Sequence, residues 1–192
     1  MKFYRVLFAI VIIFVAVLVL RPNSFNLQAN QAISVQALNS LVGKPAPNFT
    51  LTDQNGKIFS LSQQRGHKVV LFFNEGIMCY PACWNQMAAL GTDSQLNSSN
   101  VVSASIVVDS KADWGQAFHK MPELAKSTIL FDSDSSVSTL YNVLSLPSSM
   151  HKGMKPGHTY ILIDANGIVR YVKDDPSMGI QNKVLTQELT KL

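Results

Sequence analysis

Cysteine is scarce, with two in 192 residues, which excludes a scaffold stapled by several disulfides. Charge is scarce too: Asp, Glu, Lys and Arg make up 15% of the chain, and Lys and Arg form no run. The net charge is +4, yet Lys2, Arg5 and Arg21 stand in an opening stretch of 21 residues without a single acid. From residue 22 onward 13 Lys and Arg face 12 Asp and Glu, a difference of +1. Nucleic-acid binding needs a basic stripe to neutralise phosphates. A nearly neutral body without one excludes that class of partner. Gly (10) and Pro (8) are too few for a collagen-like chain, and a hydrophobic content of 47% argues against disorder.

What is present divides into three parts. Residues 6–20 are an unbroken apolar run behind Lys2 and Arg5, closed by Arg21-Pro22. As a helix the run spans about 22 Å against a hydrocarbon core of ~30 Å, and Phe3 and Tyr4 can extend it if Arg5 snorkels. A cleaved signal peptide and a retained signal anchor both fit this pattern. No small-x-small site follows closely, Val35-Gln36-Ala37 lies far downstream, and no Cys follows the run. The reading adopted is therefore a transmembrane helix over residues 1–21. It implies a single-pass cell-membrane protein with a cytoplasmic N-terminus and an extracytoplasmic domain. Residues 22–42 hold four Asn, three Gln and no charge, and read as a polar linker or a weak polar helix. Residues 43–192 are the size of one domain.

Within that domain, 49–52 and 57–61 alternate apolar and polar residues about Asp53-Gln54-Asn55-Gly56, the pattern of a hairpin. The short apolar run 69–73 reads as a strand buried on both faces. The sequence then predicts helix at 81–90, strand at 101–108, helix at 112–121, strand at 128–131 and helix at 137–143. Strands at 159–163 and 168–173 flank the turn Asp164-Ala165-Asn166-Gly167, and a helix closes the chain at 180–192. Strands alternating with helices, and a last pair that must be antiparallel, give an α/β class with a mixed sheet.

Both cysteines fall in Phe73-Asn74-Glu75-Gly76-Ile77-Met78-Cys79-Tyr80-Pro81-Ala82-Cys83-Trp84, where a buried strand ends and a helix begins. Sites in α/β sheets form at the carboxyl ends of strands. The positive end of a helix favours a thiolate, which is the nucleophilic form of cysteine. Two thiols at i and i+4 share a helix face, and in a loop they can still approach to bonding distance. A static disulfide is the bland alternative, but a staple over so few residues stabilises little. Reversible redox or metal chemistry is the sharper reading. His67 and His119 stand in polar surroundings and read as surface residues. His151 and His158 lie in a Met- and His-bearing stretch, and His158 directly precedes a strand. Met, His and two Cys together would suit a soft copper ion. Glu75, four residues before Cys79, is a candidate proton acceptor for its thiol.

Gly43-Lys44-Pro45-Ala46-Pro47-Asn48-Phe49-Thr50-Leu51, then Asp53-Gln54-Asn55-Gly56, resembles the opening of the alkyl hydroperoxide reductase/thiol-specific antioxidant (peroxiredoxin-like redoxin) family. Val107-Val108-Asp109-Ser110, Ile129-Leu130-Phe131-Asp132 and Thr159-Tyr160-Ile161-Leu162-Ile163-Asp164 continue the likeness. The resemblance covers nearly all of 43–192 and implies a thioredoxin-like fold. It implies a thiol oxidoreductase with Cys79 as attacking thiolate and Cys83 as resolving thiol, no cofactor, a thiol electron donor, and a peroxide or disulfide as substrate. Peroxiredoxins place a Thr three residues before the attacking Cys and an Arg at the late strand; here Gly76 and His158 stand at those positions. The chain is also similar to thioredoxin-like reductases of cytochrome maturation, which carry Cys-x2-Cys. Its likeness to Sco-type copper proteins, with Cys-x3-Cys, implies an alternative: a copper chaperone using Cys79, Cys83 and His158.

Overall fold

The computed structural model describes residues 22–192. Contacts divide the chain into two units, Met1–Ile33 and Ser34–Leu192. Helix α1 (Pro22–Asn39) runs across that division. Within the second unit its end joins the core through Leu38, 1% exposed, with Val35 packed beside it.

The transmembrane helix expected over residues 1–21 does not stand. No helix among the described residues is long and apolar enough to cross a membrane, and the apolar run itself lies outside the described residues. The physical reason at α1 is composition, since its Asn and Gln side chains would be left without water in a bilayer. The single-pass placement and the membrane as a partner rested on that helix and fall with it.

A seven-stranded sheet organises the second unit. Its strands are β1 (Thr50–Asp53), β2 (Ile58–Ser60), β3 (Lys68–Phe73), β4 (Val101–Val107), β5 (Ile129–Phe131), β6 (Thr159–Ile163) and β7 (Val169–Asp174). They lie in the order β2-β1-β5-β4-β3-β6-β7. The central trio β3, β4 and β5 is parallel, and the neighbours on both sides are antiparallel. The expected mixed α/β sheet of thioredoxin-like type is therefore what the chain builds. Both hairpin turns use one device. Asp53 Oδ1 accepts the N–H of Asn55 and Lys57, Asp164 Oδ1 accepts those of Asn166 and Ile168, and Gly56 and Gly167 supply the left-handed backbone.

The alternation of β3 sends Val69, Leu71 and Phe73 into one hydrophobic core and Val70 and Phe72 into the other. That is why the run is apolar at every position. Helix α2 (Ala82–Thr92) follows β3 and covers the second core with Trp84, Met87 and Leu90. Helices α3 (Gly115–Lys120), α4 (Ser136–Leu140) and α5 (Asn182–Leu189) complete the layers. The helix expected at 112–121 is a 3-10 turn, Lys111–Trp114, that runs on into α3. Helix α4 is capped by Asp132, whose oxygens accept the N–H of Val137 and Ser138 at 3.0 and 2.7 Å.

Candidate active site

The last residues of β3 lead into a 3-10 turn, Gly76–Cys79, and then into α2. Cys79 ends the turn and Cys83 sits in the first turn of α2. Their sulfurs are bonded to each other, with the Cα atoms 5.3 Å apart. The two cysteines singled out by sequence thus come together at the carboxyl end of a central strand, where sites in such sheets form. The pair is inside rather than on the surface: Cys79 is 4% and Cys83 1% exposed. Met78 and Tyr80, on either side of Cys79, are exposed.

The turn is fixed from three sides. Gly76 N–H donates to Asn74 Oδ1 at 2.9 Å, and Ile77 N–H donates to Asp109 Oδ2 at 2.9 Å. The indole N–H of Trp84 donates to the Gly76 carbonyl at 3.2 Å. Gly76 is left-handed at φ +65°, and a Cβ there would overlap the Asp109 carboxylate. Asp109 is held in turn by Lys155 Nζ at 2.6 Å. The same geometry accounts for glycine where the resemblance leads one to expect threonine: the space a side chain would fill is taken by an aspartate from the end of β4.

The histidines separate cleanly. His119 is exposed, whereas His67, read as a surface residue, is half-buried and its Nδ1 has no hydrogen-bond partner. His151 pairs through Nδ1 with Glu75 Oε2 at 3.2 Å. Glu75 is buried, and its Oε1 accepts the N–H of Met150 and His151 at 2.6 and 3.0 Å. This carboxylate, a candidate proton acceptor on sequence, therefore anchors the 149–151 loop to the end of β3. His158 alone reaches the cysteines. Its Nδ1 lies 3.6 Å from Cys83 Sγ and its Nε2 2.8 Å from the Tyr160 hydroxyl, and its ring meets Phe72 edge-on at 4.6 Å.

Burial sets the charge state of this corner. It pulls the His158 imidazole down to about 4, with Lys173 adding to the effect and Asp175 and the Gly179 backbone opposing it. Burial, with help from Asp175, pushes the Tyr160 phenol far above its ordinary value. Asp175 stays low although burial would raise it, because hydrogen bonds from Ser177 and Gln181 and the charge of Lys173 outweigh that effect. Sequence reasoning placed Tyr160 and Asp109 in stretches that carry the resemblance but gave neither a role at the site. Tyr160 was recoverable from strand alternation, which puts i and i+2 on one face. Asp109 required knowing that β4 lies beside β3.

Sγ of Cys79, Sγ of Cys83 and a ring nitrogen of His158 all lie within 4.8 Å of one another, the trio that the copper alternative invokes. As found, the sulfurs are spent on each other, and a soft ion needs thiolates. The arrangement can store and release an electron pair by thiol–disulfide exchange.

The AhpC/TSA family model matches residues 42–172. Among curated relatives, the chain is 31% identical over 135 residues to peroxiredoxin Bcp of Escherichia coli, covering 69% of this chain and 85% of that one. It is 32% identical over 130 residues to chloroplastic peroxiredoxin Q of Triticum aestivum, covering 68% of this chain and 57% of the relative. The match thus spans little more than half the length of the chloroplastic relatives. Among solved structures, peroxidoxin BcpB of Mycobacterium tuberculosis superposes with a TM-score of 0.65 at 21% identity, covering 79% of this chain and 97% of that one. The reduced 2-Cys peroxiredoxin of Plasmodium vivax superposes at 0.64 and 24% identity, covering 78% and 80%. At these identities the superpositions establish the fold.

Proposed function

This chain belongs to the AhpC/TSA family, and on that footing we propose that it is a thiol peroxidase, reducing a peroxide with electrons from an external thiol. Cys79 is the attacking residue: its thiolate takes the terminal oxygen of the peroxide, the O–O bond breaks, and the alcohol or water leaves with a proton. The product is a sulfenic acid on Cys79. The sulfur of Cys83 then attacks that of Cys79 and expels the oxygen as water, which closes the disulfide. Two equivalents of donor thiol reopen it.

The observation that carries the reading is the Cys79–Cys83 disulfide at the β3–α2 junction, which is the chemical state this cycle passes through. Cys79 is assigned first attack because its two neighbours are exposed and Cys83 is the more deeply buried of the pair. The position of Cys83 in the opening turn of α2 favours it as a leaving thiolate, next to the positive end of an eleven-residue helix. Two departures from the peroxiredoxin pattern mark the site. Gly76 offers no hydroxyl to the peroxide, and His158 brings an uncharged ring in place of a guanidinium. The pocket should therefore stabilise the departing oxygen less, which favours reactive peroxides over hindered ones.

Peroxide consumption by the full chain, with dithiothreitol as donor, tests the reading. Cys79→Ser should abolish turnover, while Cys83→Ser should still form one equivalent of trappable sulfenic acid. Full peroxidase turnover in Cys79→Ser would overturn it. Reduction of protein disulfides without peroxide consumption would replace it by a disulfide reductase.

A further inference from the structure

A buried thiol at Cys83 must lose its proton when it resolves and regain one when it is released, and the ring of His158 lies beside it. We propose that His158 is the group that handles this proton: Nδ1 takes it from Cys83 as the disulfide closes and supplies it when the disulfide opens, with the Tyr160 hydroxyl setting which ring nitrogen is protonated. The inference rests on the two-cysteine reading above and assigns a further catalytic residue to it.

Three observations carry it. His158 Nδ1 is in contact range of Cys83 Sγ, at 3.6 Å. The ring is pinned on its other side by the Tyr160 hydroxyl at 2.8 Å, which can either donate or accept. The ring is also sealed from solvent, with 1% exposure, so proton exchange with bulk water does not compete. When the hydroxyl donates to Nε2, Nδ1 carries hydrogen and can stabilise a departing Cys83 thiolate. When it accepts from Nε2–H, Nδ1 presents a lone pair to the Cys83 thiol. One rotation of a hydroxyl, coupled to tautomer exchange, serves both halves of the cycle.

The surrounding charges fit this role. The groups that face the imidazole are Cys83 from α2, Phe72 from β3, Tyr160 from β6, and Lys173 and Asp175 at the end of β7. Asp175 also donates its backbone N–H to the His158 carbonyl at 2.9 Å. In closing, the Cys83 S–H bond breaks toward Nδ1, the S–S bond forms, and the Cys79 S–O bond breaks. The released hydroxide and the imidazolium proton combine as water. In opening, the donor thiol loses its proton and its thiolate bonds to Cys79 Sγ. The S–S electron pair goes to Cys83 as a thiolate hydrogen-bonded by Nδ1–H. The donor's proton is relayed through the imidazole to Cys83, which leaves the ring neutral.

The decisive measurement compares the full chain with His158→Asn and with Tyr160→Phe by rapid mixing. In His158→Asn, disulfide closure should slow by about 100-fold, the usual scale for loss of a general base, and by clearly more than sulfenic acid formation on Cys79 slows. Tyr160→Phe should slow closure by a smaller factor. A second readout needs no peroxide: the pH profile of disulfide opening by dithiothreitol. His158→Asn should slow opening and change the shape of that profile. Unchanged closure and opening rates with an unchanged profile would overturn the assignment. If the parent forms no sulfenic acid at all, the peroxidase reading falls, and the opening rate alone still decides the role of His158.

Discussion

Gly76 shows how one residue without a side chain fixes the reactive turn. Two costs can be separated there. A left-handed backbone penalises any L side chain by about 1–2 kcal/mol, and intrusion into occupied space adds roughly 1–3 kcal/mol. Gly66 provides the comparison, because it is left-handed at φ +90° with nothing within 4 Å of where a Cβ would stand. Urea unfolding should give a loss of about 1–2 kcal/mol for Gly66→Ala and a clearly larger loss for Gly76→Ala. Equal losses would mean that Asp109 swings aside freely and does not hold the turn. The chain itself displays Gly76 three residues before Cys79, and that much is legible without coordinates. The reason for it is a carboxylate 33 positions later, brought near only by β3–β4 pairing. His158 is a similar case: its place before a strand can be read from sequence, but its contact with Cys83, 75 positions away, cannot.

At the scale of elements, the question is whether the disulfide supports the fold or merely uses it. The closed loop runs only from Cys79 to Cys83. Loop-closure entropy for so short a ring amounts to about 2 kcal/mol. Against that stand a seven-stranded sheet and two cores meeting on β3, where truncating a single buried aromatic such as Phe72 costs about 3–5 kcal/mol. Reduction by a phosphine should therefore leave the protein folded, with unchanged far-ultraviolet dichroism and a stability loss no greater than about 2 kcal/mol. Unfolding on reduction would identify a structural staple and remove the redox reading. Elements were the most readable level of this chain, because β3, β6 and both Asp-x-x-Gly turns rest on local periodicity and local hydrogen bonds. Less readable was α4, five residues long, whose start depends on the buried Asp132 rather than on any repeat. The membrane helix has no support at this scale: no helix among the described residues is long and apolar enough to cross a membrane, and the apolar run lies outside them.

The whole molecule determines what a pH change does, because the balance of protons between folded and unfolded chains belongs to no single contact. The sequence indicated the α/β class and the sheet's mixed direction, since strand–helix alternation and a terminal hairpin leave few alternatives. It could not indicate that the 144–158 segment folds back over the β3–α2 junction, tied there by Glu75 and by the Lys155–Asp109 pair. That closure buries His158 and so creates a proton linkage. The folded imidazole titrates near 4, against an ordinary value of 6.5. Between those values the unfolded chain binds a proton that the folded one refuses, so stability rises with pH across this window. The contribution is full above pH 6.5 and is lost progressively as pH falls toward 4, by an amount on the order of 3 kcal/mol. Asp164 and Asp175, both held low, add acid sensitivity only below their ordinary carboxylate range, whereas burial raises Asp174 toward this interval with the opposite sign, so the histidine's share is the difference between the parent and His158→Asn. Urea midpoints measured at intervals from pH 6.5 to 5 should fall steadily for the parent. His158→Asn should flatten that slope even if it lowers stability overall, because an amide has no proton to take up. A parent curve flat from pH 7 to 5 would mean that water reaches the ring, and that the junction opens far more readily than its buried contacts imply.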